Sequence, residues 1–139
     1  MSEVEIMPLL GWIFYVSEDY EGIDSSKCGK WMCFFDNKDF AAEICHKAVS
    51  DDICQSAKHS DDESGVCCFY INADDIPAHK RVIQFFLDNN LIKRTKDGRL
   101  YNISFKFDDQ TRSGEYGNDF KGIIKLADFL DLYTGEWIK

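Results

Sequence analysis

The chain alternates between short aromatic or β-branched runs and longer stretches in which apolar residues recur every three or four positions. "GWIFYVS" (11–17) starts at a glycine and runs into the acidic "EDYEGIDSS", which predicts a strand followed by a solvated loop. "KWMCFFD" (30–36) predicts a second strand, and "VCCFYIN" (66–72) is the most strand-like run of all. "DICQSAKHS" (52–60) alternates weakly and reads as a strand that ends in the polar "DDESG". Between these, "KDFAAEICHKAV" (38–49) places Phe40, Ile44 and Ala48, with Cys45 and Val49, on one helical face, and Asp39 suits its cap or first turn. In "DDIPAHKRVIQFFLDNN" (74–90), Pro77 fits a first helical position. Ala78, Val82, Phe85 and Phe86 then make a stripe, and Asn89-Asn90 suits a left-handed cap. "IKRTKDGRLYNISFKF" (92–107) turns at Asp97-Gly98 and reads as a hairpin with a long second arm. Farther on, "GIIKL" predicts a strand and "ADFLDLYTG" a short helix or turn.

Six or seven strands, two long helices and mostly short connections predict an α+β fold in a single domain, 1–139. The sheet is expected to be mainly antiparallel, with both helices on one face. The other face is then left solvated or curved around a ligand.

Charge narrows the function classes. The 139 residues carry a formal net charge of −9, which argues against direct nucleic-acid binding and against an anionic membrane surface. No apolar run approaches the roughly 20 residues of a spanning helix. The acidic "MSEVEIMPLL" lacks the basic start of a signal peptide, so a cytoplasmic protein is expected. Residues 1–70 hold 5 lysines against 14 acidic residues, whereas 71–139 balance 11 against 11 and hold every arginine. An anion site is therefore expected to draw on the second half. The six cysteines form no C-x-x-C pair and no zinc-finger spacing with a histidine, so they read as reduced thiols packed as small hydrophobes, with no metal and no cofactor implied.

The candidate chemistry gathers around Lys106. Strand alternation over 99–108 puts Tyr101, Ile103, Phe105 and Phe107 under the helices. Leu100, Asn102, Ser104, Lys106 and Asp108 then share the polar face. Arg112 and Tyr116 follow in "TRSGEYG", and Lys58 with His59 ends another strand. Arginine offers a bidentate fork, lysine a point charge and tyrosine a hydroxyl donor, a set suited to an anionic group. Trp12 and Trp31 read first as core residues, yet either one beside a cationic face would stack a base. Trp137 is expected to cover a sheet edge. His46 and His79 read as surface residues, and His59 as the candidate histidine. No Ser-His-Asp order, G-x-S-x-G, P-loop or dinucleotide fingerprint is present.

"GKWMCFF", a helix, "AKHS", "VCCFYIN", a second helix and "FKFDDQTRSGEYG" together resemble a family of small proteins. Its animal members are called basophilic-leukaemia-expressed proteins, and many bacterial members carry the label phosphothreonine lyase domain. That family is similar in fold to the cap-binding translation initiation factor, a curved antiparallel sheet backed by helices. The resemblance spans about residues 11–120. Lys30-Trp31, Lys58, Lys106, Arg112 and Tyr116 match its pattern, which implies a nucleotide or other phosphorylated ligand on the concave sheet face. A lyase reading would imply Lys106 as base and His59 as acid, with Lys58, Arg112 and Tyr116 clamping the phosphate. Lys58 and His59 are adjacent, however, so on a strand they point to opposite faces.

The expected function is a binding protein for a small phosphorylated or nucleotide-like anion, held on the open sheet face by Trp31, Lys58, His59, Lys106, Arg112 and Tyr116. The alternatives are phosphate elimination or hydrolysis at the same place, and an acidic module that docks on a protein partner.

Overall fold

The computed structural model describes residues 3–18, 28–107 and 124–139. In chain order its elements are β1 (Val4–Leu9), β2 (Trp12–Ser17), β3 (Cys28–Phe35), α1 (Lys38–Ser50), β4 (Ser56–Ser60), β5 (Gly65–Asn72), α2 (Ile76–Asp88), β6 (Ser104–Phe107) and β7 (Ile124–Lys125). The seven strands form one open antiparallel sheet in the order β1-β2-β4-β5-β3-β6-β7. Both helices pack on one face of it, α1 through Ala41, Ile44, Cys45, Ala48 and Val49, while Phe40, expected in that stripe, stays exposed because it sits in the first turn beyond the buried face. This is the expected α+β architecture.

The helices form where local chemistry starts them. Asn37 accepts the backbone N–H of Phe40 at 3.1 Å and caps α1, so Asp39 serves its first turn and Lys47 its last, each matching the helix dipole. Asp75 accepts the N–H of Ala78 at 3.1 Å and caps α2, with Pro77 in the first turn. The chain leaves α2 through Asn90 at φ 55°, the expected left-handed exit. After α1 the chain turns at Asp52 (φ 58°), which delays β4 to Ser56.

The centre of the core is an aromatic cluster around Trp31, which is wholly buried. Its indole Nε1 donates to Nδ1 of His79 at 3.0 Å. Nε2 of His79 lies 2.7 Å from the carbonyl of Ala73, so it carries the proton and donates. Phe105 meets the indole at 5.8 Å, and Phe129 stacks on the imidazole at 5.6 Å. His79 is therefore a core residue and not the surface histidine that was expected. Val82, Ile83 and Phe86 stand three, four and seven positions beyond it, so position 79 falls inside the apolar stripe of α2.

Bare backbone at Gly29 lets β6 join β3. A Cβ there would stand 2.4 Å from the Phe105 ring and 2.5 Å from the Lys106 carbonyl oxygen. The regular alternation expected over 99–108 holds only within β6. Leu100 is buried and Tyr101 is exposed, because Leu100 N–H bonds the carbonyl of Leu132 and the N–H of Ile103 folds back on Tyr101.

The first strand, β1, was not expected from the sequence. It is mostly exposed and exists by pairing with β2 through the tight turn Leu10-Gly11, at φ 52° and 85°. Glu18 N–H bonds the carbonyl of Glu3, and the register pairs Val4 with Ser17. Residues 5, 7 and 9 thus bond inward, whereas Val4, Ile6 and Pro8 turn their backbone groups to the side of β1 that no other described strand pairs with.

Burial holds the imidazole of His79 below its ordinary pKa. The unfolded chain then takes up a proton that the folded chain refuses. The His79 contribution is complete above the unfolded value of 6.5 and declines as pH falls below it towards the folded pKa. Urea unfolding at pH 7.5 and pH 5.5 is expected to show this loss in the wild type. His79→Gln is expected to be less stable at pH 7.5 by about 1–3 kcal/mol, from the broken buried hydrogen bonds. Its stability should change less between the two pH values, and an undiminished pH slope in the variant would exclude His79 as the source.

Candidate functional site

Strand alternation divides the sheet into two faces. Towards the helices point Tyr15, Trp31, Cys33, Ala57, His59, Cys67, Phe69, Ile71 and Phe105, all buried. The opposite face carries Trp12 and Phe14 from β2, Lys58 from β4, Cys68 and Tyr70 from β5, Lys30 and Met32 from β3, and Lys106 from β6. This face has no helix over it among the described residues.

The register assembles the site. Phe14 pairs with Lys58, which pairs with Cys68. Ser56 pairs with Tyr70, Tyr70 with Lys30, and Lys30 with Lys106. The Lys58 ammonium lies 4.0 Å from the centroid of the Trp12 ring, 5.4 Å from Phe14 and 5.7 Å from Tyr70. Lys30 lies 5.5 Å from the same Tyr70 ring. Lysine stems lying on aromatic faces keep their charge at the surface while the rings shield one side of it. Lys30 and Lys106 stand directly opposite on neighbouring strands, so two cationic side chains share one row of this face.

Of the six residues expected in the site, the structure places two on this face, Lys58 and Lys106, with β5 and β3 between their strands. Trp31 and His59 belong to the other face. Trp31 is the centre of the core and is shielded from any ligand on the open side. His59 is 1% exposed and held at both nitrogens: Nδ1 lies 2.8 Å from the carbonyl of Ser60 and so donates, and Nε2 lies 3.0 Å from the Tyr15 hydroxyl. Burial, then the neighbouring thiols of Cys45 and Cys67, pushes the Tyr15 pKa up to about 12. Arg112 and Tyr116 lie outside the described residues. Trp12, Phe14, Tyr70 and Lys30 complete the face. The parity of "WIFYVS" could have found the first two, since Trp12 and Phe14 alternate with the inward Ile13 and Tyr15.

The thiols behave as core atoms. Cys33 and Cys67 are buried cross-strand partners, and their pKa values lie far above the ordinary thiol value. The thiol-to-thiol hydrogen bond and then burial raise Cys33. In Cys67 the hydrogen bond with Cys33 pulls down, and the bond to Cys45 together with burial outweighs it. Burial lifts Cys54 to about 12. Such thiols are inert towards electrophiles at neutral pH. Among the described residues no cluster of His, Cys, Asp or Glu is arranged to hold a metal ion, and no helix is long and apolar enough to cross a membrane. Neither a protein-family model nor a curated protein matches the chain.

The stack of Lys58 on Trp12 is expected to contribute measurably to stability. A double-mutant cycle with Lys58→Met and Trp12→Leu, read by urea unfolding, should give a coupling energy of about 0.5–2 kcal/mol. A coupling of zero would leave Lys58 as a solvated lysine beside the ring.

Proposed function

We propose that the chain is a binding protein for a small phosphorylated or nucleotide-like anion, held on the open sheet face. The observation that carries this reading is the row of Tyr70, Lys30 and Lys106 across three neighbouring strands, beside Lys58 on its aromatic bed. A chain of net charge −9 places three lysines on this one sheet face, and lysine ammonium groups suit an anionic ligand. The rings of Trp12, Phe14 and Tyr70 would take a base or other planar group next to the charge. The likeness to the cap-binding fold is part of the same proposal. Seven antiparallel strands with both helices on one face are compatible with it. The six free cysteines suit a reducing compartment, and we place the activity in a cytoplasm on that ground.

The lyase alternative is less well supported. His59 and Lys106 point to opposite faces, so these two cannot act as acid and base on one substrate.

A thermal-shift panel with inorganic phosphate, AMP, ADP-ribose and a phosphothreonine peptide tests the proposal. A ligand at a hundred times its dissociation constant adds about 2.7 kcal/mol of stability. The wild type is expected to shift with at least one of these, and Lys30→Gln/Lys106→Gln to show a smaller shift while remaining folded. A shift of equal size in the double variant would move the site elsewhere.

A second reading, docking on a protein, is favoured by one specific place. Leu10 sits at φ 52° and 91% exposed, a conformation that costs a leucine energy and that asparagine or glycine adopts readily. Its neighbour Leu9 and, across the same end of the sheet, Phe34 at 71% are also exposed. The carbonyl of Gly11 in this turn accepts the N–H of Asp61, so the acidic hairpin tip Asp61–Glu63 adjoins the apolar group. A basic segment with apolar anchors fits that combination. Leu10→Asn is expected to stabilise the isolated chain by about 0.5–1 kcal/mol, read as a rise in Tm, because asparagine suits the turn. A fall in Tm would mean that Leu10 makes contacts that outweigh its backbone strain.

A further inference from the structure

On the helical side of the molecule, away from the open sheet face, a groove of about 640 Å³ lies between the end of α1, the outer side of α2 and the C-terminal residues around Trp137. That volume is in the range of a small-molecule site. Four cations line it (Lys47, Lys80, Arg81 and Lys139), against only two carboxylates, Asp51 and Asp88. Such a surplus is at odds with the net charge of the chain.

The wall of the groove is built from interlocked side chains. The indole Nε1 of Trp137 donates to Oε1 of Gln84 at 3.1 Å, and Nε2 of Gln84 donates to Asp88 at 2.8 Å. That chain of bonds fixes the indole and holds the Asp88 carboxylate against Gln84. Lys47 reaches the Asn89 amide at 3.4 Å. Among the described residues neither Lys80 nor Arg81 forms an ion pair. Arg81 and Lys80 are neighbours on α2 and both line the groove. Half-buried Ile53 supplies apolar surface beside the part-exposed indole, with the edge of the buried Phe85 behind it.

The geometry points to a second binding site in this groove, separate from the sheet face, for an aromatic phosphate of mononucleotide size. The ring packs on Trp137, and the phosphate sits between Arg81 and Lys80. Arginine and lysine without carboxylate partners are the groups best suited to a phosphate, and a ring fixed by its own hydrogen bond is ready to stack without further ordering.

The test uses the indole N–H signals of the three tryptophans in the ¹⁵N-labelled full chain, with the Trp137 signal assigned by Trp137→Phe. AMP, adenosine and inorganic phosphate are titrated separately to millimolar concentration. AMP is expected to move the Trp137 signal at lower concentration than adenosine or phosphate alone. Arg81→Gln/Lys80→Gln should weaken the AMP response at least about tenfold, the loss expected for removed charge-assisted hydrogen bonds. Lys30→Gln/Lys106→Gln should leave it unchanged. A Trp137 signal that no probe moves, or that moves equally in Arg81→Gln/Lys80→Gln, overturns the inference. If AMP moves Trp12 and not Trp137, the sheet-face reading stands and the groove fails. The reverse pattern sustains the groove and removes AMP from the sheet face.

Discussion

The hydrogen bond from the Trp31 indole to the His79 imidazole joins the middle strand region to α2 through the driest part of the molecule. An indole can only donate, so it needs an acceptor, and an imidazole can accept only while it is neutral. The Ala73 carbonyl at the far side of the ring fixes which nitrogen keeps its proton. Each of the three groups therefore determines the next. Strand β3, the turn after β5 and the first turn of α2 are tied together by two bonds that both fail if the ring is turned over. Phe105 and Phe129 pack on this assembly, so β6 and the C-terminal turns take their places from it as well.

The open face inherits its order from that buried one. Lys30 precedes Trp31 on the same strand and must point the other way, and Lys106 follows Phe105 in the same manner. Once Trp31 and Phe105 are packed, the two lysines stand opposite each other without any contact of their own being required. The absence of a side chain at Gly29 allows the two strands to come that close. The cationic row is thus a by-product of core packing in its position, and its residue types are what give it chemical meaning.

Much of this was legible in the sequence. Most of the two helical stripes, the strong strands read at 11–17, 30–36 and 66–72, and the α+β arrangement follow from periodicity and turn residues. The divergent directions of Lys58 and His59 follow from alternation. Three features were hidden. Strand β1 has no buried face to leave a pattern, and only its turn and its partner define it. His79 looks polar in isolation, and the spacing to Val82, Ile83 and Phe86 shows its direction only when it is counted as part of the stripe. The Tyr101 register fails because tertiary bonds to Leu132 and Lys93 override the local alternation. For the site, residue type pointed to Lys58 and Lys106. The aromatic bed under Lys58 needed the pairing of β2 with β4, which no local pattern specifies.

Pro8 has a further consequence for how the molecule behaves in company. An exposed edge strand with Ile6, Met7 and Leu9 at its surface is a template on which another copy could add a strand and begin an aggregate. The outward backbone positions of β1 are Val4, Ile6 and Pro8, and at the last of these the donor is missing. A strand docking along that edge would find its ladder broken at one end, next to a turn that reverses the chain. The proline thus leaves the inward pairing with β2 untouched while it withholds a donor from any strand that would extend the sheet at that end.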